Sequence, residues 1–318
     1  MSAFQGSDAR LFSGRSTETL EALACLGAQQ GVNPEQPVEM GGQYIRWLQV
    51  EGNSGAGKSS LVNAGMLPMI RQGALWARTG FEHWQVLGPM MPGERPLLQL
   101  AETLERDLVT DPERRDISRR YQALQADPQA LALHLRAFKA EGRAFLLVVD
   151  QFEELFTFAD KAERLAFDRQ VYHALLDRDC PLFLLTTVRI DFLEGFEQLP
   201  CLSELYNPHC KRYLLKTISQ SGLREAIEQP ARLAGLDVSE VTAALLKDAQ
   251  DEPGALPLVE NALRVLWEQR QGNRLSGAVY VERGGMARFA GQQADALLAR
   301  MERRCPVAVR MHWNCYWR

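Results

Sequence analysis

The chain has 318 residues, 46% of them hydrophobic and 24% charged, which is enough apolar material for two domains with cores of their own. A formal net charge of −4 gives no electrostatic footprint for nucleic acid, so a nucleic-acid partner is not expected. The opening MSAFQGSDARLFSGRS lacks the basic start and apolar run of an export signal, and the longest apolar runs, AFLLVV and PLFLLTTV, are too short to span a bilayer.

Six cysteines (Cys25, Cys180, Cys201, Cys210, Cys305 and Cys315) form no C-x-x-C pair. That argues against structural zinc and a disulfide framework, and fits a reducing cytosol. The five histidines are equally dispersed and read as ordinary surface or core residues.

Along the chain, Ser16 reads as a cap for a helix over 17–27, and a Gly- and Pro-bearing loop follows over 27–43. YIRWLQV (44–50) reads as a strand running into a glycine-rich turn, and KSSLVNAGMLPMIRQ continues as a helix. HWQVLGP (83–89) reads as a second strand, followed by three amphipathic helices that start at Pro and Asp signals. RAFLLVVD (143–150) and PLFLLTTVR (181–189) are apolar strands on either side of the helix KAERLAFDRQVYHALLDR. Strands alternating with helices imply βαβ units and a parallel sheet covered on both faces. From about 213 onward the patterns are helical, so a first domain over 1–212 and a helical domain over 213–301 are expected.

The chemistry starts in EGNSGAGKSSLV (51–62). Gly52, Gly57, Lys58 and Ser59 fit the phosphate-loop pattern G-x-x-x-x-G-K-[ST], with Gly55 as an additional glycine. Glycines let the backbone turn tightly enough for successive N–H groups to meet phosphate oxygens. Gly52, Asn53, Ser54, Gly55, Ala56, Gly57, Lys58, Ser59 and Ser60 are therefore the nucleotide-binding candidates, with Lys58 on the β- and γ-phosphates and Ser59 on Mg²⁺. In LLVVDQFEELF (146–156) an apolar strand ends in Asp150, the Walker B position for a carboxylate that holds the Mg²⁺ shell. Glu153 or Glu154 is placed to orient an attacking water, and the sequence does not choose between them. The bland alternative for this pair is a helix start with acidic first-turn residues. LLTTVR (184–189) ends a further strand in hydroxyls and Arg189, where a polar tip can read the γ-phosphate. PGALPLVENALRVLWEQR (253–270) is by itself a helix junction, with Pro257 in a first turn.

Taken in order, FSGR, GNSGAGKSSLVNAGMLP, LLVVDQFEELF, TTVRIDFL, LREAIEQPA and PGALPLVENALRVLWEQR resemble the novel STAND NTPase domain, a relative of the NACHT and NB-ARC ATPases, over residues 4–301. The resemblance implies an α/β, ASCE-type P-loop fold with a helical lid, acting as an ATP/ADP-controlled signalling switch with Mg²⁺. It implies Mg²⁺ coordination by Asp150, a role for the Glu153/Glu154 acidic pair, a sensor position at Arg189, and packing of Pro257 against nucleotide. Gly14 and Arg15 would belong to an N-terminal block that closes over the adenine. Self-association or a signalling protein partner is implied for output. The tail ERRCPVAVRMHWNCYWR (302–318) departs from the family pattern and suggests a truncated or frame-shifted end, which reading the downstream DNA in the other frames tests. Two alternatives share the core layout: a DNA-linked AAA+ or origin-recognition-like ATPase, and a small-molecule phosphotransferase.

Overall fold

A computed structural model describes residues 3–27, 45–250, 254–270, 272–286, 288 and 291. The expected loop over 27–43 lies almost wholly outside these residues, and the tail lies entirely outside them. The chain divides into two compact units, Ser2–Lys216 and the residues from Thr217 onward.

The first unit begins with helix α1 (Ser16–Cys25). Arg15 holds its N-cap position with no side-chain cap, so Ser16 is the first helical residue and not the cap expected of it. Strand β1 (Trp47–Gly52) runs through the glycine loop into α2 (Lys58–Ser60), a wider π-type stretch (Leu61–Met66) and α3 (Leu67–Arg71). After the short α4 (Trp76–Thr79) come β2 (His83–Met90), α5 (Pro96–Leu108), α6 (Ile117–Ala126) and α7 (Ala130–Ala137). Strand β3 (Arg143–Val149), α8 (Glu154–Thr157), α9 (Lys161–Leu176), β4 (Leu182–Arg189), α10 (Leu202–His209) and β5 (Cys210–Leu214) complete the unit.

All pairings are parallel, and the strand order is β2-β3-β4-β1-β5. The strand carrying the glycine loop and the strand ending before Asp150 are therefore separated by β4, and all three open at the same edge of the sheet. Alternation along the central strands feeds two cores. Phe145, Leu147 and Val149 of β3 join Leu184 and Val188 of β4 on one face, under α5, α7 and α9. Ala144, Leu146 and Val148 join Leu48, Val50 and Leu185 on the other, under α1 and the helix that follows the loop. Side chains buried on both faces need near-continuous apolar runs, and each full burial contributes about 1.5–3 kcal/mol.

The second unit holds α11 (Gln220–Leu233), α12 (Ser239–Asp248), α13 (Ala255–Glu268) and α14 (Gly277–Glu282). Its core gathers Leu223, Ile227, Val241, Leu245, Ala262, Leu266 and Tyr280. A single parallel bridge, Asp237 to Arg274, is its only strand-like pairing among the described residues.

Candidate nucleotide site

Side chains with chemistry collect where the parallel strands end, at the carboxyl edge used for ligands in open α/β sheets. Beyond β1 the backbone curls through Gly55 (φ 72°) and Gly57 (φ 91°), left-handed values that favour glycine. Gly57 caps α2, and no side chain caps that helix start. Its first N–H groups are thus free of side-chain competition for an anionic oxygen. Lys58 Nζ donates to the carbonyls of Gly52 and Asn53, each at 2.9 Å, which holds the ammonium at the mouth of the loop. Burial pulls the Lys58 ammonium below its ordinary value, and the charges of Glu153 and then Asp150 oppose that pull.

The acid end is drawn in by strand register. Val149 pairs with Thr186, so Asp150 and Thr187 come side by side. Asp150 Oδ1 receives the Ser59 hydroxyl at 2.8 Å and the Thr187 hydroxyl at 2.5 Å. Gln151, at φ 54°, then turns the chain sharply; its N–H reaches Thr187 Oγ1 at 3.0 Å, while the Phe152 N–H reaches the Thr187 carbonyl at 2.8 Å. Hydroxyl and carboxylate oxygens this close are hard donors of the kind Mg²⁺ takes, so the residues present fit that ion.

The two glutamates part company at this turn. Glu153 is buried, its Oε2 accepts the Arg189 N–H at 3.3 Å, and it acts on Lys58 through its charge. Burial raises the Glu153 carboxyl above the ordinary range, against the lowering effect of its own backbone N–H, Lys58 and the Arg189 amide. Glu154 instead accepts the Gly93 N–H at 2.9 Å and so braces the turn after β2.

Arg189 ends β4 directly opposite Gly52, but its side chain pairs with Asp191 at 2.5 Å and lies over the Phe192 ring at 5.1 Å. That pairing holds the Asp191 carboxyl below its ordinary value. Arg15 is buried; it pairs with Glu18 at 2.7 Å and donates to the Ala56 carbonyl of the glycine loop at 3.1 Å. Gly14 sits before it at φ 81°. The Phe4 N–H reaches Ser60 Oγ at 3.2 Å, so the N-terminal segment touches the loop helix at a second point. Pro257 lies in the first turn of α13, in the second unit.

Thr187 is the site residue that the sequence reading left unnamed. The two hydroxyls of LLTTVR face opposite sides of β4: Thr186 accepts from Trp47 Nε1 at 3.1 Å, and Thr187 binds Asp150. Period-two alternation says that the pair must split, but which one meets the acid is set by register.

Fold and site together define a P-loop NTPase. The model of the novel STAND NTPase 1 family matches residues 1–311, and the chain belongs to that family. No curated protein matches the chain. Among solved structures it is similar to the ORC2 protein of Aeropyrum pernix, described as ADPNP-ADP complexes, at 14% identity over 92% of this chain and 69% of that one, with a TM-score of 0.51. It is also similar to the Walker-type ATPase of Pyrococcus abyssi, at 13% identity over 96% and 79%, with a TM-score of 0.49. The ORC2 likeness shows a shared fold and nothing finer. No described helix is long and apolar enough to cross a membrane.

Proposed function

We propose that this protein is an ATP-binding, slowly hydrolysing signalling switch of the STAND type, acting in the cytoplasm. The observation that carries the reading is the junction of Ser59, Asp150 and Thr187 at one carboxylate oxygen, with Lys58 and Glu153 coupled through their charges beside it. Lys58 and the loop amides bind the phosphates of ATP or ADP, with Gly52, Asn53, Ser54, Gly55, Ala56, Gly57 and Ser60 shaping the cradle. Ser59 and Asp150 hold Mg²⁺, which when bound neutralises charge on the β- and γ-phosphate oxygens. Glu153 orients and polarises the attacking water, and burial raises its carboxyl, which makes the carboxylate a stronger base. Glu154 braces the neighbouring turn. Arg189 is the proposed reader of the γ-phosphate, Pro257 is the residue proposed to pack against nucleotide, and Arg15 holds the loop from the N-terminal side. Nucleotide then favours one arrangement of the helical unit and loss of the γ-phosphate another, with self-association or a signalling protein reading the difference.

The test is Mg²⁺-dependent ATP binding and turnover. Binding is expected to vanish in Lys58→Ala, and turnover to vanish in Asp150→Asn while the protein stays folded. Unchanged binding in Lys58→Ala refutes the assignment. Salt-dependent duplex binding would move the reading to a DNA-linked ATPase.

A further inference from the structure

We propose that Glu51 and Arg212 form a positioning pair that ties the first residue of the glycine loop to the stretch of chain that leaves the nucleotide unit. The proposal rests on the nucleotide-binding reading and adds a route by which the state of the loop is passed on. Glu51 directly precedes Gly52 and is 4% exposed. Its Oε1 receives Arg212 Nε at 2.5 Å, Gln49 Nε2 at 2.9 Å and the Tyr206 hydroxyl at 3.1 Å, and its Oε2 receives Arg212 Nη2 at 3.1 Å. The guanidinium fork therefore grips both oxygens, a geometry that a lysine does not reproduce. It also lies over the Tyr206 ring at 5.2 Å.

Three further contacts give the pair a direction. The Glu51 carbonyl accepts the Leu215 N–H at 2.8 Å, one residue beyond β5 and two before the second unit begins at Thr217. A side chain placed on Gly52 would come within 2.9 Å of the Leu215 carbonyl, so the loop's first glycine is required by the close approach of this exit stretch. The Gly52 carbonyl in turn accepts Lys58 Nζ. A displacement of Lys58 toward phosphate thus bears on Gly52, and through Glu51 and Gly52 on residues 210–215.

The same carboxylate is reached from the acid strand. The Tyr206 ring stacks on Phe196 at 4.3 Å, and Phe196 stacks on Phe152 at 5.4 Å, two residues past Asp150. Glu51 is the point where the paths from both ends of the site meet. Arg212 is nearly half exposed, so solvent screens the pair and it adds little to stability. What it provides here is a fixed direction for the backbone at Gly52.

Hydrogen exchange of the amides over 210–217, with and without Mg-ADP, tests the pair. In the wild type, nucleotide should slow exchange there by about tenfold, the scale of one charge-assisted hydrogen bond. In Glu51→Gln, Mg-ADP should still bind while this protection is lost. A purely structural role would lower Tm and raise basal exchange but leave the nucleotide-dependent difference in place. Protection that persists in Glu51→Gln overturns the proposal. Should that variant fail to fold, Tyr206→Phe removes one bond and keeps the ring; reduced protection supports the pair and undiminished protection overturns it. A wild type that binds no nucleotide sinks the functional reading and this proposal together, whereas binding without any protection at 210–217 sinks the pair alone.

Discussion

The two units bury very different things. In the nucleotide unit Arg15, Glu51, Glu105, Glu153 and Asp168 are all nearly inaccessible, along with Gln49, Gln170, Thr186 and Thr187. Among the described residues of the helical unit, the buried polar side chains are Thr242 and Asn261, and the rest of the core is apolar. Burying an ionisable group is costly unless it is paired, so such groups concentrate where orientation matters more than stability. The contrast separates a unit built to hold charges in fixed places from one built to pack.

The largest effect should come from the charge at the mouth of the loop. Lys58→Ala should weaken nucleotide affinity by about 100-fold or more, as expected when a half-buried ammonium is taken from phosphate, and titration calorimetry reads it directly. Next, Glu153→Gln should slow turnover by about 100-fold or more while leaving affinity nearly intact, which a phosphate-release assay run beside a binding assay would show. Glu154→Ala should instead cost about 1–2 kcal/mol of stability through the lost Gly93 bond, with little change in turnover. Equal turnover defects in the two variants would erase the distinction drawn between them.

The helical unit should answer differently. Leu245→Ala opens a cavity in a fully buried position and should cost about 2–5 kcal/mol in chemical denaturation, while nucleotide affinity stays within about twofold. A large loss of affinity would show that the packing unit also shapes the site.

The smallest effects are titrations within the nucleotide unit, and they have opposite signs. The folded-state value of Glu153 is raised, so its contribution to stability is present at low pH and lost as pH rises through the folded value. Turnover, which needs the carboxylate, should run the other way, rising with pH through the folded value and falling on acidification. His134 is pulled by burial from 6.5 to about 4, so its contribution is present above the unfolded value and lost on acidification across that interval. Melting curves against pH for Glu153→Gln and His134→Asn should flatten in opposite directions.

Much of the scaffold was legible because buried parallel strands need unbroken apolar runs. Residues 143–149 and 182–189 meet that need on both faces. Strand β5 was not legible. CKRYL is an edge strand of mostly exposed or half-exposed residues, so it carries no apolar run and reads as the onset of a helical region. For that reason the expected boundary at 212 falls short of the division after Lys216. Within the site, the motif residues could be listed from spacing alone, but their partners could not. Which of Glu153 and Glu154 faces Lys58 depends on the turn at Gln151, and which threonine meets Asp150 depends on the register of β3 against β4. Arg189 shows the same limit, since its position at the strand tip was readable and its pairing with Asp191 was not.

The proposed function requires that the site hydrolyse ATP and that the nucleotide it holds set the state of the helical unit. Small-angle scattering of Glu153→Gln, which should hold ATP without cleaving it, tests this when ATP and ADP are compared at saturation. The account predicts a radius of gyration that differs between the two nucleotides and a wild type that drifts from the ATP value to the ADP value as turnover proceeds. Superimposable scattering with both nucleotides bound would contradict it.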